Sequence, residues 1–438
     1  MLTACNAADA PSPNADAPAG TSANLKVDLA AQETRTPARA LLARQQALSP
    51  APGYSCGFPR HHDYSSNFIL PDHRTRLQLD NDVIRAYEDW KAAYLVEVPE
   101  TSTGLPGFRV AFSASAPERT VSEGLGFGML IMVAMAGYDP LAQHYFDGLW
   151  RFSRDHPSSI DSRLTAWQIP ESTAGEASAF DGDADIALAL LMADRQWGSG
   201  GVVDYRSESQ QMADALYESA IGPQSLLPML GDWVDPDGAP HNQYSSRSSD
   251  FMPASFRAFA TLDGAEKWLD VIVTVQEVIR QFQQAYDSGL LPDFVQRDGE
   301  TFKPADAGFL EGEHDGDYFY NAGRLPWRLA MDALTNGDQQ SRESLRNMTR
   351  FIVAAVADDP ASMGAGYLLD GTPIGNYFSS FFAAPFALAL MSEPRYQAQL
   401  NKLYDAIYQR REGYYEDSVT LLSLLLLTGN FWSVSGEC

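Results

Sequence analysis

The sequence predicts an all-α chain, and three observations carry that prediction. Apolar segments of helical length recur along most of it, Gly- and Pro-rich connections separate them, and two of the most apolar segments open on carboxylates. The segments fall at 80–95, 124–137, 143–153, 183–197, 208–219, 253–260, 266–284, 325–335, 341–357, 381–392, 396–410 and 417–428. With 438 residues, 45% hydrophobic and 11% aromatic, the chain can bury a large core, either as one big domain or as two ordinary ones. The longest apolar stretch, 419–427, is too short to span a membrane and reads as the core of a final helix.

Taken in order, residues 1–52 are rich in Ala, Pro, Ser, Asn and Thr and are expected to form a disordered leader or tether, with 53–438 as a single folded domain. Leu2-Thr3-Ala4-Cys5 resembles a lipobox, which implies a membrane tether through Cys5; the basic and apolar regions of a signal peptide are missing upstream, so a start further upstream and a chance match both stay open. Cys56 and Cys438 flank the folded region, and either a disulfide between them or two free thiols fits. These features lead us to expect a secreted, periplasmic or surface-held protein, and a monomer.

The next two segments carry the chemistry. In Thr120-Val121-Ser122-Glu123-Gly124-Leu125-Gly126-Phe127-Gly128-Met129, a lone glutamate precedes an apolar helix. Glycines are expected to leave room there for a ligand, and Phe127 and Met129 to desolvate Glu123 so that it holds a proton. In Ala179-Phe180-Asp181-Gly182-Asp183-Ala184-Asp185, three carboxylates at two-residue spacing open another apolar helix, which is more than capping needs.

Together these two segments resemble the catalytic-acid motif and the signature of glycoside hydrolase family 8. The resemblance extends through Leu230-Gly231-Asp232-Trp233, Ser249-Asp250-Phe251-Met252-Pro253, Tyr320-Asn321-Ala322-Gly323-Arg324-Leu325-Pro326-Trp327 and Tyr414-Tyr415-Glu416-Asp417-Ser418, from about Tyr64 to Trp432. It implies an (α/α)6 barrel of six inner and six outer helices, with an open substrate cleft at one end and inverting hydrolysis of β-linked sugars. Twelve apolar segments suit that double ring, and their limits are drawn with it in view.

Inverting hydrolysis needs two carboxyl groups with a water between one of them and the sugar. By resemblance Glu123 is the acid. Many family members place the base aspartate where this chain has Asn321, and an amide cannot take that proton. One branch of the family instead uses a loop glutamate just upstream, and the loop 307–317 supplies Glu311 after Phe309-Leu310. Glu311 is therefore the expected base and Glu313 its rival, while solvated surface charge is the bland alternative for the whole loop.

Asp181 is expected to reach the sugar at the cleavage point, whereas Asp183 and Asp185 secure the helix start. Asp250 is expected to contact water or an amino sugar, and Tyr320 to bind substrate. Arg324 is expected to pair with the acidic centre and position Asn321. Trp167, Trp233 and Tyr377 are expected to stack sugars, and Trp150, Trp197 and Trp268 to pack in the core.

Acidic residues outnumber basic ones by 57 to 31, giving a net charge of −26 that argues against nucleic acid as a partner. No Cys/His cluster or phosphate loop appears, so no cofactor or metal is implied. The acidic balance and Asp250 favour chitosan as substrate. The alternatives are an endo-β-1,4-glucanase or licheninase and, from another class, an inactive barrel that binds glycan.

Overall fold

Helices buried on every side alternate along this chain with helices buried on one face, and that alternation builds the architecture. The computed structural model describes residues 55–436 except 65–67, 114, 171–174 and 358. Among the described residues the α-helices are α1 (Arg76–Tyr94), α2 (Ser122–Ala134), α3 (Ala142–Asp155), α4 (Phe180–Trp197), α5 (Tyr205–Ala220), α6 (Pro253–Phe259), α7 (Trp268–Ala285), α8 (Leu325–Thr335), α9 (Gln339–Val356), α10 (Ser380–Leu390), α11 (Gln397–Ile407) and α12 (Tyr414–Leu427). All of α2 and α10 and nearly all of α4, α8 and α12 are buried, as a helix that is apolar all round requires. In α3, by contrast, the buried set includes Ala142, Phe146, Leu149, Trp150 and Ser153, a single stripe at helical spacing.

The even-numbered helices close a ring in which α2, α4, α6, α8, α10 and α12 each pack on the next and α12 returns to α2. Around them α1 packs on α12, α3 on α2, α5 on α4, α7 on α6, α9 on α8 and α10, and α11 on α10. This is the (α/α)6 barrel. The predicted segments match these helices, but at α1, α4, α5 and α12 they miss the first turn and at α9 its first two residues. Helix α1 begins at Arg76 behind a Thr75–Gln78 capping box, and α5 and α9 begin behind Asp204 and Asp338, whose side chains accept from backbone amides. Such turns are polar, so apolar periodicity cannot see them.

The strands are short additions at the rim: β1 (Leu95–Val98) with β2 (Gly107–Val110), β3 (Thr120–Val121) with β4 (Gln168–Ile169), and a three-stranded antiparallel sheet of β5 (Ser245–Arg247), β6 (Phe294–Asp298) and β7 (Thr301–Pro304). The pairing of Arg247 with Phe294 fixes an arginine at the end of β5. Trp150 and Trp268 are buried, and Trp197 packs edge-on against Phe146, as expected of core tryptophans. Cys56 is buried and disulfide-bonded. Cys5, Cys438 and the leader 1–52 lie outside the described residues. None of the described helices is long and apolar enough to cross a membrane.

Candidate active site

Helices α2 and α4 bring their N-terminal ends together, and glycine is what lets them. A Cβ on Gly182 would stand 2.6 Å from the Ser122 carbonyl carbon and 2.7 Å from the Glu123 nitrogen. One on Gly126 would stand 2.7 Å from the Asp185 Cβ, and one on Gly124 would press on the Tyr414 ring at 3.1 Å. The glycines around Glu123 therefore admit a neighbouring helix and a tyrosine. The expectation that they make room for a ligand is corrected, because that space is filled by protein. Phe127 is buried in the core against Trp327 and does not line the cleft.

The close approach brings Glu123 and Asp181 to the same nitrogen of one guanidinium. Arg324 Nη1 donates to Glu123 Oε2 and, at 2.7 Å, to Asp181 Oδ2. Tyr414 donates its hydroxyl to the other Glu123 oxygen at 2.8 Å. Burial dominates at Glu123 and pushes its carboxyl up to about 7 despite Arg324, with the Asp181 charge adding to the rise. Burial also acts on Asp181, but there Arg324 and Arg247 together outweigh it and hold the carboxyl at about 2. One carboxyl thus keeps its proton towards neutral pH while its neighbour is ionised, an arrangement suited to an acid beside a charge that holds substrate.

Asp183 and Asp185 stay out of the cleft, as expected. Asp183 accepts the Thr165 backbone N–H at 3.0 Å, and Asp185 makes a two-pronged buried pair with Arg328 at 2.6 and 2.7 Å. One turn apart on α4, Asp181 and Asp185 face Arg324 and Arg328, which are spaced four residues apart at the start of α8.

The second carboxylate comes from the loop 307–317. Asp315 draws that loop tight by accepting the backbone N–H groups of Leu310, Glu311 and Gly312. Glu311 is nearly buried; its Oε2 accepts from Asn321 Nδ2 at 2.9 Å, and its Oε1 lies 3.4 Å from Arg247. Burial raises its pKa, and Arg247 and Asn321 oppose the rise. Glu313, two residues on, has a side chain 85% exposed and faces His314. The structure therefore brings Glu311 to the cluster and leaves Glu313 in solvent.

Glu123 and Glu311 do not touch. Arg324 Nη2 donates to Asn321 Oδ1 at 3.2 Å, so a guanidinium and an amide stand between the two carboxyls. Behind them lies Asp293, buried and pushed up to about 7 by burial, although it accepts four N–H groups from residues 319–322.

The cleft over this cluster is walled by Phe112, Trp167, Trp233, Leu310, Tyr320 and Tyr415, apolar faces of the kind that stack on sugar rings. Tyr377 is 45% exposed beyond it and shares a 2.8 Å hydroxyl contact with Tyr320. Asp250 is a correction. It has no exposed surface and lies behind Arg247 at 3.5 Å, where burial pushes its carboxyl up to about 7, so it offers nothing to an amino sugar.

Arg247, Asp293 and Tyr414 were missed as site residues. Tyr414 stood within a motif that resembles the family, and Arg247 lay two residues before another. Asp293 carried no sequence signal, since only the folded chain brings it to Asn321.

Beyond the geometry, the sequence pattern of glycosyl hydrolases family 8 matches residues 76–429. The chain belongs to that family. It is 40% identical over 382 residues to a beta-glucanase of Niallia circulans, covering 86% of this chain and 91% of that protein. It is 34% identical over 392 residues to an endoglucanase of Bacillus sp. strain KSM-330, covering 86% and 81%. The apo structure of a beta-1,3-1,4-glucanase from Paenibacillus sp. X4 superposes with a TM-score of 0.81 at 39% identity, covering 88% of this chain and all of that one. As a family 8 member the chain is a glycoside hydrolase that works with inversion, acting on β-linked polysaccharide.

Proposed function

We propose that this enzyme is an endo-acting β-glucanase in which Glu123 protonates the departing sugar and Glu311 takes a proton from the attacking water. The observation that carries the reading is the division of labour between two separated carboxyls. Glu123 is held protonated by burial near neutral pH, whereas Glu311 lies beyond Arg324 and Asn321, within reach of the positive Arg247. An inverting hydrolase needs such a separation, because the water must fit between base and sugar. Asp181, ionised beside Arg324, is placed to grip the hydroxyls of the sugar at the cleavage point. Trp167, Trp233 and Tyr320 supply faces for the sugars on either side.

β-Glucan fits this cleft better than the chitosan expected from sequence. Its carboxyls already lie against guanidiniums: Glu123 and Asp181 share Arg324, and Glu311 lies 3.4 Å from Arg247. A polyamine chain would meet the guanidiniums of Arg247 and Arg324 on the wall of the cleft, beside these acids. The names of the relatives, beta-glucanase and endoglucanase, point the same way. The inactive-barrel alternative rested on Asn321, and Glu311 beside that amide supplies the carboxylate it lacked.

Reducing-sugar release from barley mixed-linkage glucan, carboxymethyl cellulose, soluble chitosan and xylan tests the substrate, with proton NMR following the first anomer formed. We expect release from the mixed-linkage glucan, with the α-anomer appearing first. Release from chitosan alone would overturn the reading.

A further inference from the structure

We propose that Asp293 is a positioning residue for the base: its buried carboxylate fixes the Asn321 side-chain amide in the orientation that offers an N–H to Glu311. The proposal rests on Glu311 being the base. Asp293 is 3% exposed and does not line the cleft, so it acts only through what it holds. One oxygen accepts the backbone N–H groups of Phe319 at 2.9 Å and Ala322 at 2.6 Å. The other accepts the Asn321 backbone N–H at 3.0 Å and its side-chain Nδ2 at 3.1 Å.

That second oxygen decides the orientation of the amide. Asn321 Nδ2 is shared between Asp293 and Glu311, while its Oδ1 accepts from Arg324. A flipped amide would put its oxygen between two carboxylates and its NH2 against a guanidinium, losing every one of these contacts. Asp293 also ties the base loop to the sheet, since its N–H donates to the Asp317 carbonyl at 2.7 Å and its carbonyl accepts the Ser248 N–H at 3.0 Å. The backbone of residue 293 thus ties the loop that carries Glu311, and its side chain sets the amide that holds Glu311.

A double-mutant cycle on the full chain tests this, using Asp293→Asn, Asn321→Ala and the pair, with kcat and KM measured on barley mixed-linkage glucan and thermal unfolding of each. If Asp293 works through Asn321, each single substitution lowers kcat by about 10- to 100-fold with KM nearly unchanged, and the double variant is no worse than the worse single. Losses that multiply, or a raised KM with kcat intact, would overturn the proposal. If Asp293→Asn does not fold, Asp293→Glu, which keeps the charge and lengthens the arm, goes through the same cycle with the same two outcomes. Glu311→Ala separates the two levels. Full activity in that variant sinks the base assignment, whereas lost activity with a multiplicative cycle sinks the role of Asp293 alone.

Discussion

The two halves of this cleft are built differently. On the acid side, Glu123 and Asp181 ride the first turns of α2 and α4, inside the main core of the barrel, where glycines fix the approach of one helix to the other. On the base side, Glu311 rides a loop that rests on a small separate cluster of Met229, Leu230, Val234, Phe294, Ala305 and Phe309. Polar contacts from Asp315 and Asp293 finish that side, and His241 bridges Trp233 and the Phe309 carbonyl. The difference teaches that the acid is positioned by the fold itself, whereas the base is positioned by local contacts added to it. A base can then move from one element to another without disturbing the barrel.

The largest expected effect is chemical and should be similar on both sides. Glu123→Ala and Glu311→Ala should each lower kcat on polysaccharide by about 10²- to 10⁴-fold while leaving the melting temperature near that of the parent. A loss on the acid side alone would break the comparison. The pH profile sharpens it: Glu123 works protonated, so kcat/KM should fall as pH rises through about 7, and a basic limb that survives Glu123→Gln would contradict the assignment.

Stability should respond unequally. Gly182→Ala forces a methyl into the Ser122–Glu123 backbone and should cost about 1–3 kcal/mol of whole-barrel stability, read by thermal or denaturant unfolding. Phe309→Ala should loosen only the satellite cluster, so kcat should drop while the main unfolding transition stays close to that of the parent. A large shift in that transition would show that the two cores are one unit. The smallest effect is expected at Glu313, whose exposed side chain can become Gln with activity changed less than about twofold.

This contrast also decides what could be read from the sequence. The apolar periods showed the helices, and carboxylates opening apolar helices showed Glu123 and Asp181, because both signals are local. Glu311 was legible only through a resemblance and the amide at Asn321. Arg247 and Asp293 were invisible, since what matters about them is contacts 64 and 28 residues away in the chain. Asp250 misled differently: the arginine that covers it stands only three residues before it, but the sequence does not show which of the two faces the cleft. The glycines were correctly noticed and wrongly explained: a short side chain leaves space, but only packing shows that a helix takes it.

The most direct test of the helix-borne acid and the loop-borne base is hydrolysis of a cello-oligosaccharide carrying a 2,4-dinitrophenyl leaving group, which needs no proton to depart. On this substrate Glu123→Ala should recover most of its lost rate, whereas Glu311→Ala should remain as slow as it is on glucan. Recovery by Glu311→Ala, with Glu123→Ala still slow, would contradict the assignment.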